Sequence, residues 1–293
     1  MGVARLWFMA ARPRTLTAAI APVLVGTAAA SADDQSFRWL AFAAALLGSI
    51  LIQIGTNLAN DYSDAKRGAD TVDRLGPLRV TASGLVAPDR VLRATWIVFG
   101  LAVICGLYLA TVAGPVILAV GAVSIAAGVL YTGGPRPYGY AGLGELFVFF
   151  FFGLVAVNGS YFVQAEGLGW LPFGLSVSIG LLATAVIVVN NYRDLQTDAR
   201  VGKHTLAVRL GRARTRVLFV ALILGGLIAL PLTLWLAPGP TLGLLGLVAA
   251  PLALPPVRHV LGSTDGPTLN RALGEVGLLL GAFGLLTSLG LVL

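Results

Sequence analysis

Charge is scarce in this sequence. Only 11% of its 293 residues are Asp, Glu, Lys or Arg, less than half of the about 25% usual for a soluble domain. A compact fold would lack the polar surface to stay in water, so soluble enzymes and soluble binding modules are excluded. Cysteine occurs once, as Cys105 within an apolar run, which rules out an internal disulfide and a thiolate metal cluster. The two histidines, His204 and His259, have no partner at ligand spacing. Imidazole metal or base chemistry therefore has little to build on.

What fills the space is apolar sequence. Hydrophobic residues make up 57% of the chain and the mean hydropathy is +0.87. Runs of roughly 17 to 25 apolar residues, the length that crosses a bilayer as a helix, occur at 15–32, 39–58, 91–112, 114–132, 144–164, 170–190, 215–237, 240–261 and 270–293. These predict an all-α membrane protein with nine transmembrane helices, formed as one domain over 1–293. The 37 glycines suit close helix–helix approach in lipid.

A net charge of +7 would also suit nucleic acid, but the placement of the charges argues for a lipid bilayer instead. With a cytoplasmic N-terminus, 19 of the 20 basic residues fall in inner segments and only Arg38 falls outside, as the positive-inside rule requires. Asp33, Asp34 and Glu166 are the outer acids.

Two inner segments are unlike ordinary connections. In "NLANDYSDAKRGAD", 57–70, Asn57, Asp61 and Asp64 are spaced i, i+4, i+7, with Asn60 four residues before Asp64. In "NNYRDLQTDARVGK", 190–203, Asn190, Asp194 and Asp198 are spaced i, i+4, i+8. On a helix each set forms one stripe. Hard oxygen donors without His or Cys suit Mg²⁺, which takes one or two carboxylates and completes its shell with water and phosphate oxygens. Lys66, Arg67, Arg136, Arg200 and Lys203 lie close by in sequence as a clamp for remaining negative charge. The pairing predicts a diphosphate substrate at the membrane surface with its apolar remainder in the bundle. Asp70, Asp73 and Asp89 lack the matched spacing and read as solvated loop charges.

A third polar segment, "YTGGPRPYGYAGLGE" at 131–145, is an irregular Gly/Pro loop. Its Arg136, flanked by Tyr131, Tyr138 and Tyr140, reads either as an anion contact or as part of an interfacial aromatic belt. The phenylalanines of the following "LFVFFFF" are expected mostly to face lipid.

Together these stretches, with "RPRTLTAAIAPVLVGTA" at 12–28, resemble the UbiA superfamily of intramembrane prenyltransferases nearly end to end. The Gly/Pro loop is similar to the branch acting on 1,4-dihydroxy-2-naphthoate. The resemblance implies nine helices around a laterally open cavity, with Mg²⁺ and a polyprenyl diphosphate held between the two aspartate motifs. It places Asn60 and Asp64 on metal ligands of the first motif and Asp194 and Asp198 on the second. Lys203 and Arg136 match diphosphate contacts, and Tyr138 lies beside them. Asp194 or Asp198 would orient or deprotonate the acceptor phenol. The implied reaction joins the prenyl group to 1,4-dihydroxy-2-naphthoate with loss of CO₂, giving a demethylated menaquinone. Gly68 stands where many relatives carry a further aspartate. Another aromatic acceptor, such as 4-hydroxybenzoate, is the rival within this class. An ion-coupled transporter is the rival outside it, although such proteins keep ionisable groups near the midplane.

Overall fold

The computed structural model describes residues 2–33, 35–70, 75–76, 78–237 and 239–293. Asp34, Asp73 and Arg74, charges used in the readings above, lie outside the described residues. The described residues are mostly helical and include no strand. In chain order the helices are α1 (Val3–Ala11), α2 (Thr17–Ala32), α3 (Trp39–Lys66), α4 (Pro88–Ala113), α5 (Val116–Leu130), α6 (Gly144–Ala165), α7 (Trp170–Arg200), α8 (Leu206–Leu236), α9 (Thr241–Gly262) and α10 (Gly266–Val292).

The ends follow local chemistry. Pro88 opens α4 and Pro267 opens α10, where a missing N–H costs nothing. Asp265 caps α10 by accepting from the Thr268 N–H at 2.9 Å. Between α4 and α5 the chain reverses at Gly114, whose φ of 88° is open to glycine and strained for other residues.

Each predicted apolar run falls on a helix. Seven described helices are long and apolar enough to cross a membrane, and an eighth crossing arises if α1 and α2, bent by 53° at their junction, count as one span. The run at 114–132 became the 15-residue α5, shorter than the roughly 17 to 25 residues a full crossing takes. The chain is thus a multi-pass membrane protein.

Helix α7 organises the bundle. Its apolar window is 72% buried, against 17–50% for the other long helices, and it packs on α8, α6, α10 and α2. Backbone approach makes this possible: a Cβ on Gly153 of α6 would lie 2.7 Å from Gly180 Cα and from Ser176 O of α7. Helices α3, α4 and α5 form a flank beside this core, and a cavity of about 590 Å³ separates the two.

Candidate active site

The cavity wall is apolar over most of its area, with Arg12, Gln53, Asn57, Asn60, Tyr131, Tyr138 and Asn190 among its polar lining. The exposed Val103, Leu107 and Leu118 also line it, so it reaches the outer flank of the α4–α5 pair.

The last turns of α3 and α7 carry both acidic stretches to the same end of this cavity. Asn60 and Asn190 line it together. Above them Tyr140 joins the two stretches: its hydroxyl donates to Asp64 Oδ1 at 3.0 Å, and Lys203 Nζ lies 5.3 Å from its ring centroid and 3.9 Å from Asp198 Oδ1. Tyr131 stands within electrostatic reach of Asp64, Asp198 and Glu145. Burial, then the Asp64 carboxylate, raises the Tyr140 phenol above its ordinary range, so it remains a donor.

The stripe on α3 divides its labour. Asp64, buried, also accepts from Arg79 Nη2 at 3.4 Å. Asn60 accepts from the Thr132 hydroxyl at 2.9 Å, which ties α3 to the Gly/Pro loop. Asn57 donates to Ala11 O at 2.9 Å and to Thr15 Oγ1 at 3.2 Å, bracing the α1–α2 junction. Asp61 accepts from the backbone N–H groups of Val80 and Thr81 at 3.2 and 3.0 Å. Its carboxylate holds the 78–87 loop over the site, and the i+4 spacing alone did not reveal that side chain's direction. Asp61→Ala should therefore leave two buried donors unpaired and cost about 2 kcal/mol. A thermal melt with a magnesium titration checks this: the melting point falls while the Mg²⁺ midpoint of the residual activity stays put.

On α7, Arg193 Nε and Nη2 grip Asp194 at 2.8 and 2.6 Å, and the same guanidinium reaches Asn190 Oδ1 at 2.9 Å and Asn270 Oδ1 at 2.8 Å. Asn270 in turn donates to Leu75 O at 2.8 Å, so α10 also anchors the loop. Arg193 and Arg79 were read only as inner basic charges. Arg193 had a signal, sitting between Asn190 and Asp194; Arg79, in a loop 15 residues beyond Asp64, had none.

Asp70 corrects the solvated-loop reading. Its side chain is 2% exposed and lies 3.5 Å from Arg79 Nε, because the loop folds back over the helix end. Asp89 is exposed as expected. Glu145, at the start of α6, is buried and accepts from Asn191 Nδ2 at 2.9 Å. The basic rim is uneven. Lys66 and Arg136 are exposed. Arg67 donates to Thr132 O and Gly134 O and lies over the Tyr140 ring. Tyr138 donates to Ala127 O at 2.9 Å and stacks on Phe147, building the cavity wall.

The phenylalanine run also needs correction. Phe147, Phe151 and Phe152 line the cavity and Phe149 packs on Gly180, leaving Phe150 exposed. A π-helical stretch, Phe149–Val155, accompanies this placement and departs from the ordinary helical repeat. His259, without a partner in sequence, meets Glu275 at 2.9 Å through the fold.

Among the described residues no three Asp, Glu, His or Cys side chains form a ready metal cage. The donor set is one of hard oxygens from Asp and Asn, which fits an ion that takes few carboxylates and completes its shell with phosphate oxygens.

These features define a membrane-embedded bundle with an apolar chamber beneath a charged polar cap. The sequence matches the UbiA prenyltransferase family over residues 19–286, and the chain belongs to that family. It is 47% identical to a 1,4-dihydroxy-2-naphthoate octaprenyltransferase of Mycobacterium tuberculosis, over 93% of this chain and 91% of that one. It is 40% identical to the Escherichia coli protein of the same name, over 92% and 89%. The solved structure of a UbiA homolog from Archaeoglobus fulgidus bound to DMAPP and Mg²⁺ shares the fold, with a TM-score of 0.62 at 14% identity, over 96% and 98% of the chains.

Proposed function

We propose that this chain, as a single domain over 1–293, transfers the polyprenyl group of a polyprenyl diphosphate to 1,4-dihydroxy-2-naphthoate in menaquinone biosynthesis. The setting is a bacterial inner (plasma) membrane, with the N-terminus and the site loops cytoplasmic. The observation that carries this reading is the meeting of two distant Asn/Asp stretches at one end of an apolar cavity. The names of the relatives at 40–47% identity support the acceptor.

Asn60 and Asp64 on one side, with Asp194 and Asp198 on the other, would hold Mg²⁺. When bound, the ion neutralises the diphosphate and makes it a better leaving group. Arg79, Arg193 and Lys203 lie among these acids and supply fixed positive charge for the departing anion. Lys66, Arg67 and Arg136 form an outer rim that draws the diphosphate in. The apolar wall, Phe147 and Phe151 included, keeps water from the allylic carbon.

The bond from that carbon to the diphosphate oxygen breaks, and its electron pair leaves on oxygen. The electron-rich ring forms the new bond at the carbon bearing the carboxylate. The ring–carboxylate bond then breaks, CO₂ departs, and its electron pair restores aromaticity. The immediate product is the hydroquinone; the quinone follows by a separate two-electron oxidation. Asp194, gripped twice by Arg193, suits orientation of the phenol, which leaves proton transfer to Asp198.

The test is the purified full chain with 1,4-dihydroxy-2-naphthoate, a polyprenyl diphosphate and Mg²⁺, read by product mass. A prenylated product without the carboxyl group is expected, and excess EDTA should suppress it about tenfold or more. A preference for 4-hydroxybenzoate, or full turnover in EDTA, rejects the proposal.

A further inference from the structure

Arg12 is the one charged side chain among the described residues lining the cavity. The other buried cations of the site, Arg79, Arg193 and Lys203, lie with the acids of the cap and do not line it. Its backbone is strained as well. At the α1–α2 junction Arg12 has φ 54° and ψ 69°, a left-handed conformation that is strained for a non-glycine residue. The residue after it is Pro13, so the turn is stiff. Neighbouring polar groups hold the conformation: Asn57 donates to Ala11 O, while Asn57 and Gln53 both donate to Thr15 Oγ1. Glycine would make the same turn without strain, yet an arginine stands here.

The amide nitrogens of Asn57 and Gln53 are engaged in this way. Their oxygens accept no hydrogen bond among the described residues, and both side chains line the same apolar space as Arg12, whose neighbour Ala11 is the one Asn57 braces. That combination complements an aromatic acid with a hydroxyl next to its carboxylate. A carboxylate entering low-dielectric surroundings needs a paired cation, and a guanidinium meets it with two parallel bonds.

We propose that Arg12, with Asn57 and Gln53, forms the subsite for the acceptor's carboxylate and adjacent phenol, separate from the diphosphate machinery. This rests on the functional reading above, since it assumes a carboxylated aromatic acceptor. Arg12 acts as a specificity determinant: it selects acceptors that carry the carboxylate and turns the ring carbon bearing it toward the cap.

The experiment compares the full-length wild type with Arg12→Gln and Arg12→Lys. KM is measured separately for 1,4-dihydroxy-2-naphthoate and for the polyprenyl diphosphate, and inhibition by 1-hydroxy-2-naphthoate is set against inhibition by 1-naphthol. Wild type should bind the carboxylated inhibitor about tenfold or more tightly than 1-naphthol, the worth of one charge-assisted contact. Arg12→Gln should erase that preference and raise the naphthoate KM about tenfold, with the diphosphate KM within about twofold. Arg12→Lys should restore part of the preference. A wild type with no preference for the carboxylated inhibitor overturns the subsite without recourse to any variant. So does an Arg12→Gln enzyme that keeps the preference or loses only diphosphate affinity. Failure of wild type to prenylate the naphthoate, by contrast, overturns the functional reading itself.

Discussion

Asp64→Asn should lower prenyl transfer about 10²- to 10³-fold, the usual cost of removing one group that stabilises a developing charge, with little change in melting temperature. The asparagine keeps the side-chain volume and one oxygen for the Tyr140 hydroxyl. Arg79 keeps its contact with Asp70, so no buried cation is stranded. Only the negative charge facing the proposed metal and diphosphate disappears. Single-turnover assays across a magnesium series would show the loss persisting at saturating ion, alongside an unchanged circular dichroism spectrum. Wild-type turnover in Asp64→Asn would mean that the α3 acids serve the fold and not the reaction.

Arg193→Met should be the most destabilising single change at the site. The guanidinium is 1% exposed and makes four hydrogen bonds, two of them to Asp194. Methionine preserves much of the volume but leaves the Asp194 carboxylate buried without this partner. Breaking a buried pair from one side costs about 3–5 kcal/mol, which lowers the thermal midpoint in detergent by several degrees or more. Adding Asp194→Asn should return a large share of that stability, because the charge that Arg193 balanced is gone, while activity stays lost. The readout is a double-mutant cycle on the midpoints. Additive effects of the two changes would show that the pair is not coupled.

Local pattern made much of this legible in advance. Apolar runs marked every long helix, since the length of a bilayer crossing is written in consecutive residues. The i, i+4 spacing put Asn60 with Asp64 and Asn190 with Asp194 on helix ends, because 3.6 residues per turn is a short-range rule. It could not tell Asp61 from Asp64: both sit in the same helical stripe, yet one meets a returning loop and the other meets Tyr140 and Arg79. Asp70 was misread for the same reason, its burial being supplied by a loop whose path no spacing encodes. The phenylalanine run was misread because the lining of a cavity depends on which neighbouring helix is missing from one side, and a π-helical stretch then shifted the faces.

By itself the sequence determined a polytopic helical membrane protein with its ionisable groups gathered at span ends, since solvation in lipid constrains each segment independently of the others. Only the tertiary structure decided that the two acidic ends share one chamber and that Arg79 and Arg193 sit among their carboxylates. It alone put Arg12 on the chamber wall. Those placements come from contacts between residues far apart in the chain, such as Leu75 with Asn270 across 195 positions and Arg14 with Asn270 across 256. They arise when helices pack through small residues and loops fold back over buried charges that must find partners.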